Sequence, residues 1–300
     1  MPEVSSQLRR AGELSRFAAR RATAWARLRP TFLVIGAQRS GSTSLEDYLS
    51  AHPAVLTAVV KEVQYFHRHY EKGELWYRSR FPLTVRATLM HRRTGVTPAI
   101  GEASPDYLFD PRAPARVHSF DGGLKLIAVL RDPVERAHSH WRMETRRGRE
   151  PLRFEEALDR EEAELESELA QLVATSGYLD APFRTSYVAR GRYAEQLERW
   201  LELFPREQML VLLSDDLLAD QAGAMSRLAG FLGIPEWSAE SYRLRGVQGD
   251  AEMPPETRER LARAFEAPNR RLEELLGIEL GWTRPRGVRA GALEAHREPQ

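Results

Sequence analysis

Apolar positions fall into short dense runs separated by longer amphipathic stretches. Thr31 to Ala37 (TFLVIGA) is a compact run rich in β-formers, and Leu124 to Leu130 (LKLIAVL) and Gln208 to Leu213 (QMLVLL) repeat it. Runs of this length without alternation predict strands buried on both faces, as in a parallel sheet. Val55 to Val60 predicts another strand. Between the runs the period lengthens to that of helices. Residues 42–50, 133–147, 153–173, 192–203, 221–232 and 255–276 read as helices, and Leu158, Leu165, Leu169 and Leu172 share one face of the third. His52-Pro53 breaks the first helix, Pro133 sits where a first turn tolerates proline, and Phe204-Pro205 closes the fourth. Strands alternating with helices predict an α/β fold with a central parallel sheet flanked by helices. The stretch 243–255, with Gly246, Gly249, Pro254 and Pro255, reads as a polar loop.

Length and composition narrow this picture. Three hundred residues, 42% of them apolar, suit one large α/β domain with a substantial core. Residues 31–284 are expected to form it, after a basic helical segment over 1–30 and before a disordered tail over 285–300. In the basic segment Leu8, Leu14, Phe17, Trp25 and Leu28 stand among seven arginines. It reads as a surface helix, with a membrane-surface or targeting segment as the alternative. A net charge of +1 argues against a nucleic-acid binder. The absence of cysteine excludes disulfides, thiolate nucleophiles and cysteine-held metals, and fits the reducing cytoplasm expected for this chain. No apolar run reaches the length of a transmembrane helix, so stable membrane insertion is not expected. Lys61, Lys72 and Lys125 are the only lysines, which draws attention to Lys61.

Three motifs carry chemistry. GAQRSGSTSL at 36–45 lies between a buried strand and a helix, where backbone N–H groups and the helix dipole face an anion. Gly36 and Gly41 have the spacing of a phosphate loop, but Ser42 stands where a nucleotide triphosphatase needs lysine. Arg39 supplies charge from within the loop, and Ser42, Thr43 and Ser44 supply hydroxyls. A plain Gly/Ser turn with a serine cap is the alternative. KEVQYF at 61–66 sets Lys61 and Glu62 after a strand, at the sheet edge where α/β proteins bind ligands. A glutamate there can take a proton from an acceptor, and Lys61 can stabilise charge on a transferring group; a solvated ion pair is the alternative. RDPVERAHSH at 131–140 puts Arg131 at a strand end and Ser139 about two helical turns on, a pair able to grip a phosphate. GEASPDYLF at 101–109 offers Glu102, Ser104, Asp106 and Tyr107 near an acceptor site, or a turn before a helix. His67, His69, His138 and His140 do not form a metal set, and no metal is expected.

Together these motifs resemble the family of sulfotransferases that use 3′-phosphoadenosine-5′-phosphosulfate (PAPS), in particular the heparan-sulfate-type domains and their bacterial relatives, over roughly residues 31–282. The resemblance implies that Arg39, Ser40, Gly41, Ser42, Thr43 and Ser44 bind the 5′-phosphosulfate. It implies that Arg131 and Ser139 bind the 3′-phosphate and that Glu62 is the catalytic base, with Lys61 beside it. The product is then adenosine 3′,5′-bisphosphate (PAP), and the acceptor carries a hydroxyl or amine on a glycan, lipid or small metabolite. Two departures stand out. The glycan enzymes carry lysine where this chain has Arg39, and arginine keeps the charge but is a poor proton donor. Their late Lys-Gly-Arg loop corresponds here to RLRGVQGD at 243–250, where Arg245 and Gly246 do part of the work. The rivals are a P-loop nucleotide kinase or triphosphatase, and an inactive nucleotide-binding protein of the same fold.

Overall fold

The computed structural model describes residues 17–282 apart from 18, 176 and 238–252. Its centre is a five-stranded sheet in the order β2-β3-β1-β4-β5, and every pairing is parallel. In chain order the elements are β1 (Phe32–Gly36), α1 (Ser42–Ala51), β2 (Val55–Thr57), α2 (Tyr65–Arg68), α3 (Glu74–Arg78), α4 (Thr84–Thr94), β3 (Ala99–Ala103), α5 (Ala113–Phe120), β4 (Lys125–Leu130), α6 (Pro133–Arg146), α7 (Phe154–Ala174), α8 (Ala181–Thr185), α9 (Tyr193–Leu201), β5 (Met209–Leu213), α10 (Ser214–Ala219), α11 (Gln221–Leu232) and α12 (Pro255–Leu276).

Alternation along the strands supplies a core on each face of the sheet. Leu33, Ile35, Leu126, Ala128 and Leu130 pack with Phe66, Tyr77 and Tyr107, and with Leu197, Trp200 and Leu272 of α9 and α12. Phe32, Val34, Ile127, Val129 and Leu212 pack the other way, against Leu45 and Leu49 of α1 and Met225 and Leu228 of α11. Both faces are covered, which is why β1 and β4 read as unbroken apolar runs.

The predicted strands and helices lie within a few residues of their expected places, with two differences. β2 stops at Thr57. Ala58 still donates its amide to the Gly101 carbonyl of β3, but Val59 donates to the Arg80 carbonyl, so the chain leaves the ladder there. Secondly, a strand not expected from the sequence, β3, overlaps the start of the 101–109 stretch read as an acceptor-site segment or a turn. Its residues AIGEA are all buried between β1 and β2. Gly101 is required there: a Cβ at that position would stand 2.4 Å from carbons of the Phe32 ring.

Within the basic N-terminal segment, Arg20 donates to the carbonyls of Ser79 (2.7 Å) and Phe81 (2.6 Å), and Arg27 to that of Phe81 (2.9 Å). These bonds tie it to the turn after α3. The tail expected over 285–300 lies outside the described residues, as does residue 245 with its loop. Among the described residues no helix is long and apolar enough to cross a membrane.

Candidate active site

β1 and β4 are neighbours, but the chain leaves β1 towards β2 and leaves β4 towards β5. A crevice opens where connections diverge in this way, at the carboxyl ends of the strands. The loop after β1 lines one side of it. Ala37 donates to the Val129 carbonyl (2.7 Å), Ser40 to that of Ala37 (3.2 Å), and Ser44 and Leu45 to that of Gly41 (3.0 and 3.1 Å). Arg39 (φ 69°) and Gly41 (φ 102°) are left-handed. Glycine adopts that conformation freely, whereas arginine does so at a cost that the surrounding loop must hold. Gly41 is also the N-cap of α1 and offers no side-chain acceptor. The first amides of α1 therefore point from the helix's positive end with no cap across them. Ser40, Ser42 and Ser44 are buried in this turn, and Thr43 is half-buried.

Arg39 joins this loop to α6. Its Nε donates to Ser139 Oγ at 3.0 Å, and its Nη1 lies 3.9 Å from Met143 Sδ. Arg131, leaving β4, donates from Nη1 to the Arg39 carbonyl at 3.5 Å. Tyr193 of α9 fixes the Arg131 backbone by donating its hydroxyl to the Arg131 carbonyl at 2.9 Å. Asp132 caps α6 by accepting the Val134 amide at 2.9 Å, with Pro133 in the first turn. The cap sets the helix phase so that Ser139 and Met143, one turn apart, face Arg39. Arg39, Arg131 and Ser139 thus share one crevice.

That crevice is strongly positive. The guanidinium of Arg39 is held below its ordinary value first by burial and then by Arg146, Arg131, Arg147 and Arg142, which all repel it. Arg142 and Arg146 lie three and seven residues beyond Ser139, on the same side of α6. Five cations gathered this closely fit a ligand carrying several negative charges.

The opposite wall comes from the loop between β2 and α2. Glu62 (φ 51°) and Gln64 (φ 56°) are both left-handed, an uncommon state for residues with a Cβ. Glu62 reaches solvent at the lip of the cleft, and Gln64 Nε2 lies 3.4 Å from its Oε2. Loss of surrounding water pushes its carboxyl above the usual range and Asp106 adds to this, while Gln64, Lys61 and Arg147 oppose it. The field of Arg147 therefore reaches both Glu62 and Arg39. Lys61 turns towards α1, with its Nζ 3.5 Å from Glu46 Oε2 and 3.4 Å from Asp47 Oδ1. Burial pushes Glu46 up to about 7; Lys61 opposes this, while Glu102 and Glu62 add to it.

Several participants carried no sequence signal strong enough to single them out. Glu46 lies in an ordinary helical stretch. Arg142 and Arg146 could have been found by stepping along the helix from Ser139. The four candidate histidines are scattered: His67 lies beside Asp106 (3.6 Å), His69 packs on Trp76, His138 stacks on Trp141 and His140 meets Tyr187.

Fold and crevice together define a parallel α/β protein with a cluster of arginines at the carboxyl edge of its sheet. The chain belongs to the sulfotransferase domain family, whose model matches residues 29–248. It is 33% identical over 205 residues to human heparan sulfate glucosamine 3-O-sulfotransferase 3B1, covering 68% of this chain and 46% of that protein. It is 29% identical over 221 residues to the bifunctional heparan sulfate N-deacetylase/N-sulfotransferase 1 of Caenorhabditis elegans, covering 71% of this chain and 23% of that protein. The chain thus spans less than half the length of these relatives. Among solved structures, a sulfotransferase from Alicyclobacillus acidocaldarius superposes with a TM-score of 0.63 at 30% identity, covering 86% of this chain and 100% of that one.

Proposed function

We propose that this chain is a sulfotransferase that moves a sulfuryl group from PAPS to a hydroxyl or amine, with Glu62 as general base. The observation that carries this reading is the convergence of Arg39, Arg131 and Ser139 at the carboxyl edge of the sheet. The left-handed turn, the amides of α1 and the hydroxyls of Ser40, Ser42, Thr43 and Ser44 form the phosphate-binding loop for the 5′ end, around Gly41. Arg131 and Ser139 take the 3′-phosphate and fix the register of the donor. The Arg39–Ser139 bond links these two halves of the site.

The donor supplies an activated sulfuryl group. Glu62 removes the acceptor proton as the acceptor's oxygen or nitrogen bonds to sulfur. The bond from sulfur to the bridging oxygen breaks in line, its electron pair stays on that oxygen, and PAP leaves with a second negative charge on its 5′-phosphate. Arg39 neutralises that charge as a fixed cation; a guanidinium does not give up its proton readily. Lys61 adds positive potential from the base side, tempered by its pairing with Glu46 and Asp47. Positioning and preorganised charge account for most of the acceleration, as in phosphoryl transfer. The relatives' names describe O- and N-sulfotransferases acting on a glycan, which supports an acceptor with a hydroxyl or amine.

The test is transfer of label from PAPS to a panel of acceptors. Glu62→Gln should lower turnover by about a hundredfold or more, the scale of a lost general base. Near-normal turnover in that variant removes Glu62 from the role.

A further inference from the structure

The carboxylate of Glu102 is buried in the middle of the sheet, at 3% exposure, and no ion pair among the described residues includes it. An unpaired charge at such depth is costly and calls for dense hydrogen bonding. Three hydroxyls provide it. Ser104 Oγ donates to Oε2 at 2.7 Å, Tyr107 donates to Oε1 at 2.7 Å, and Tyr77 donates to Oε1 at 3.2 Å. Burial still pushes the carboxyl up to about 7, the three hydroxyls opposing and Glu62 adding to the shift.

Two of these hydroxyls do a second thing. With its proton committed to Glu102, Ser104 Oγ accepts the Gln64 amide at 2.9 Å, and the Tyr107 hydroxyl accepts the Tyr65 amide at 2.8 Å. Gln64 and Tyr65 begin the short helix α2, whose N-cap supplies no side-chain acceptor of its own. These two amides lie two and three residues after Glu62, in the loop where Glu62 and Gln64 are left-handed. The segment bearing Ser104 and Tyr107 is itself anchored, since Ser104 and Leu108 donate to the carbonyls of Val34 and Ile35 in β1 (3.0 and 2.8 Å).

We propose that Glu102 is a positioning residue: it orients the hydroxyls of Ser104 and Tyr107 so that they grip the Gln64 and Tyr65 amides and fix the loop that presents Glu62. The inference rests on the general-base reading of Glu62. Its chemistry depends on Glu102 being an acceptor at both oxygens. A hydroxyl rotates freely, and only a partner that donates nothing back compels both protons to turn inward and both sets of lone pairs to face the loop. Glutamine at 102 keeps the size but offers one donor group, so the hydroxyl facing it must turn its proton away and is no longer held in the direction that serves the loop amide.

The experiment compares Glu102→Gln, Ser104→Ala and Glu62→Gln in the full chain, measuring kcat, donor KM and PAP affinity. Glu102→Gln should lower kcat about tenfold to a hundredfold, the scale of a misplaced catalytic group, with donor KM and PAP affinity unchanged. Ser104→Ala removes one arm and keeps the glutamate in place, and should show the same split if Glu102→Gln does not fold. Ser104→Thr keeps the hydroxyl and should restore kcat. Glu62→Gln/Glu102→Gln together should be no slower than Glu62→Gln alone, because Glu102 acts through Glu62. A merely structural role would instead lower PAP affinity in step with kcat and slow the double variant further. Normal kcat in both Glu102→Gln and Ser104→Ala, with Glu62→Gln inactive, overturns the positioning role alone. Near-normal Glu62→Gln overturns the general-base reading, and this inference with it.

Discussion

Arg39 shows how a single residue can serve two walls of a site. Its left-handed backbone turns the loop after β1, while its guanidinium reaches α6 and meets Ser139. Its carbonyl accepts from Arg131, so each arginine helps to place the other although both are cations. Repulsion among Arg39, Arg131, Arg142, Arg146 and Arg147 is relieved when an anion sits between them, so part of their cost in the free protein returns as affinity. Arg131 therefore bears on binding more than on the chemical step. Arg131→Ala should weaken PAP about tenfold or more, the scale of one lost charge-assisted hydrogen bond. The unaltered chain should bind PAP in preference to ATP. Calorimetry finding equal PAP affinity in the variant, or a preference for ATP, contradicts this assignment of the 3′-phosphate site.

At the scale of elements, β3 repays study because its sequence hides it. Ile100 is its only β-branched residue, and Gly101, Glu102 and flanking Pro98 and Pro105 suggest a turn. Neighbours decide otherwise. The Phe32 ring lies over Gly101 so closely that no side chain fits beneath it. Gly101→Ala should cost about 1–3 kcal/mol through overpacking, less a few tenths regained from the stiffer unfolded chain. Phe32→Leu in the same molecule should recover part of that loss, and denaturant titration of the four-member cycle measures the coupling. Additive effects would mean that the ring does not pin Gly101. The same contrast explains what the sequence made legible. β1, β4 and β5 announce themselves through runs of Leu, Val and Ile, and the loops after β1 and β4 carry Arg39 and Arg131 at fixed distances from those runs. Ser139 follows from helical periodicity. Glu102 could be named but not given a role, because the Gln64 and Tyr65 amides held by its hydroxyl partners Ser104 and Tyr107 lie some forty residues earlier in the chain. Glu46 had no local mark, since its raised proton affinity comes from burial beside Glu62 and Glu102, a property of the assembled fold.

For the whole molecule, these buried groups set opposing demands on pH. Burial first, and then neighbouring carboxylates, raises Glu46 and Glu102 from an ordinary 4.5 to about 7. A carboxyl raised on folding contributes stability that is fully present below its unfolded value and is lost as pH rises through about 7. Burial does the reverse to His67 and His69, lowering them from 6.5 to about 4, and it holds His140 well below its usual range. An imidazole kept neutral contributes stability that is present above its unfolded value and is lost as pH falls through about 4. The salt-bridged carboxyls of Asp106 and Glu150 steepen that acid limb, because arginine partners outweigh the burial that would raise them. The melting temperature should therefore be highest in the window between the two ordinary values, 4.5 and 6.5, and fall on both sides. Scanning calorimetry from about pH 4 to about pH 8 follows both limbs. Glu102→Gln should soften the alkaline limb, because glutamine never ionises; a wild-type chain that keeps gaining stability past pH 7 contradicts the argument. The proton abstraction proposed for Glu62 and the grip proposed for Glu102 both require the ionised carboxylate, the form that loss of water disfavours. The pH at which this site works best therefore lies above the pH at which the molecule is most stable.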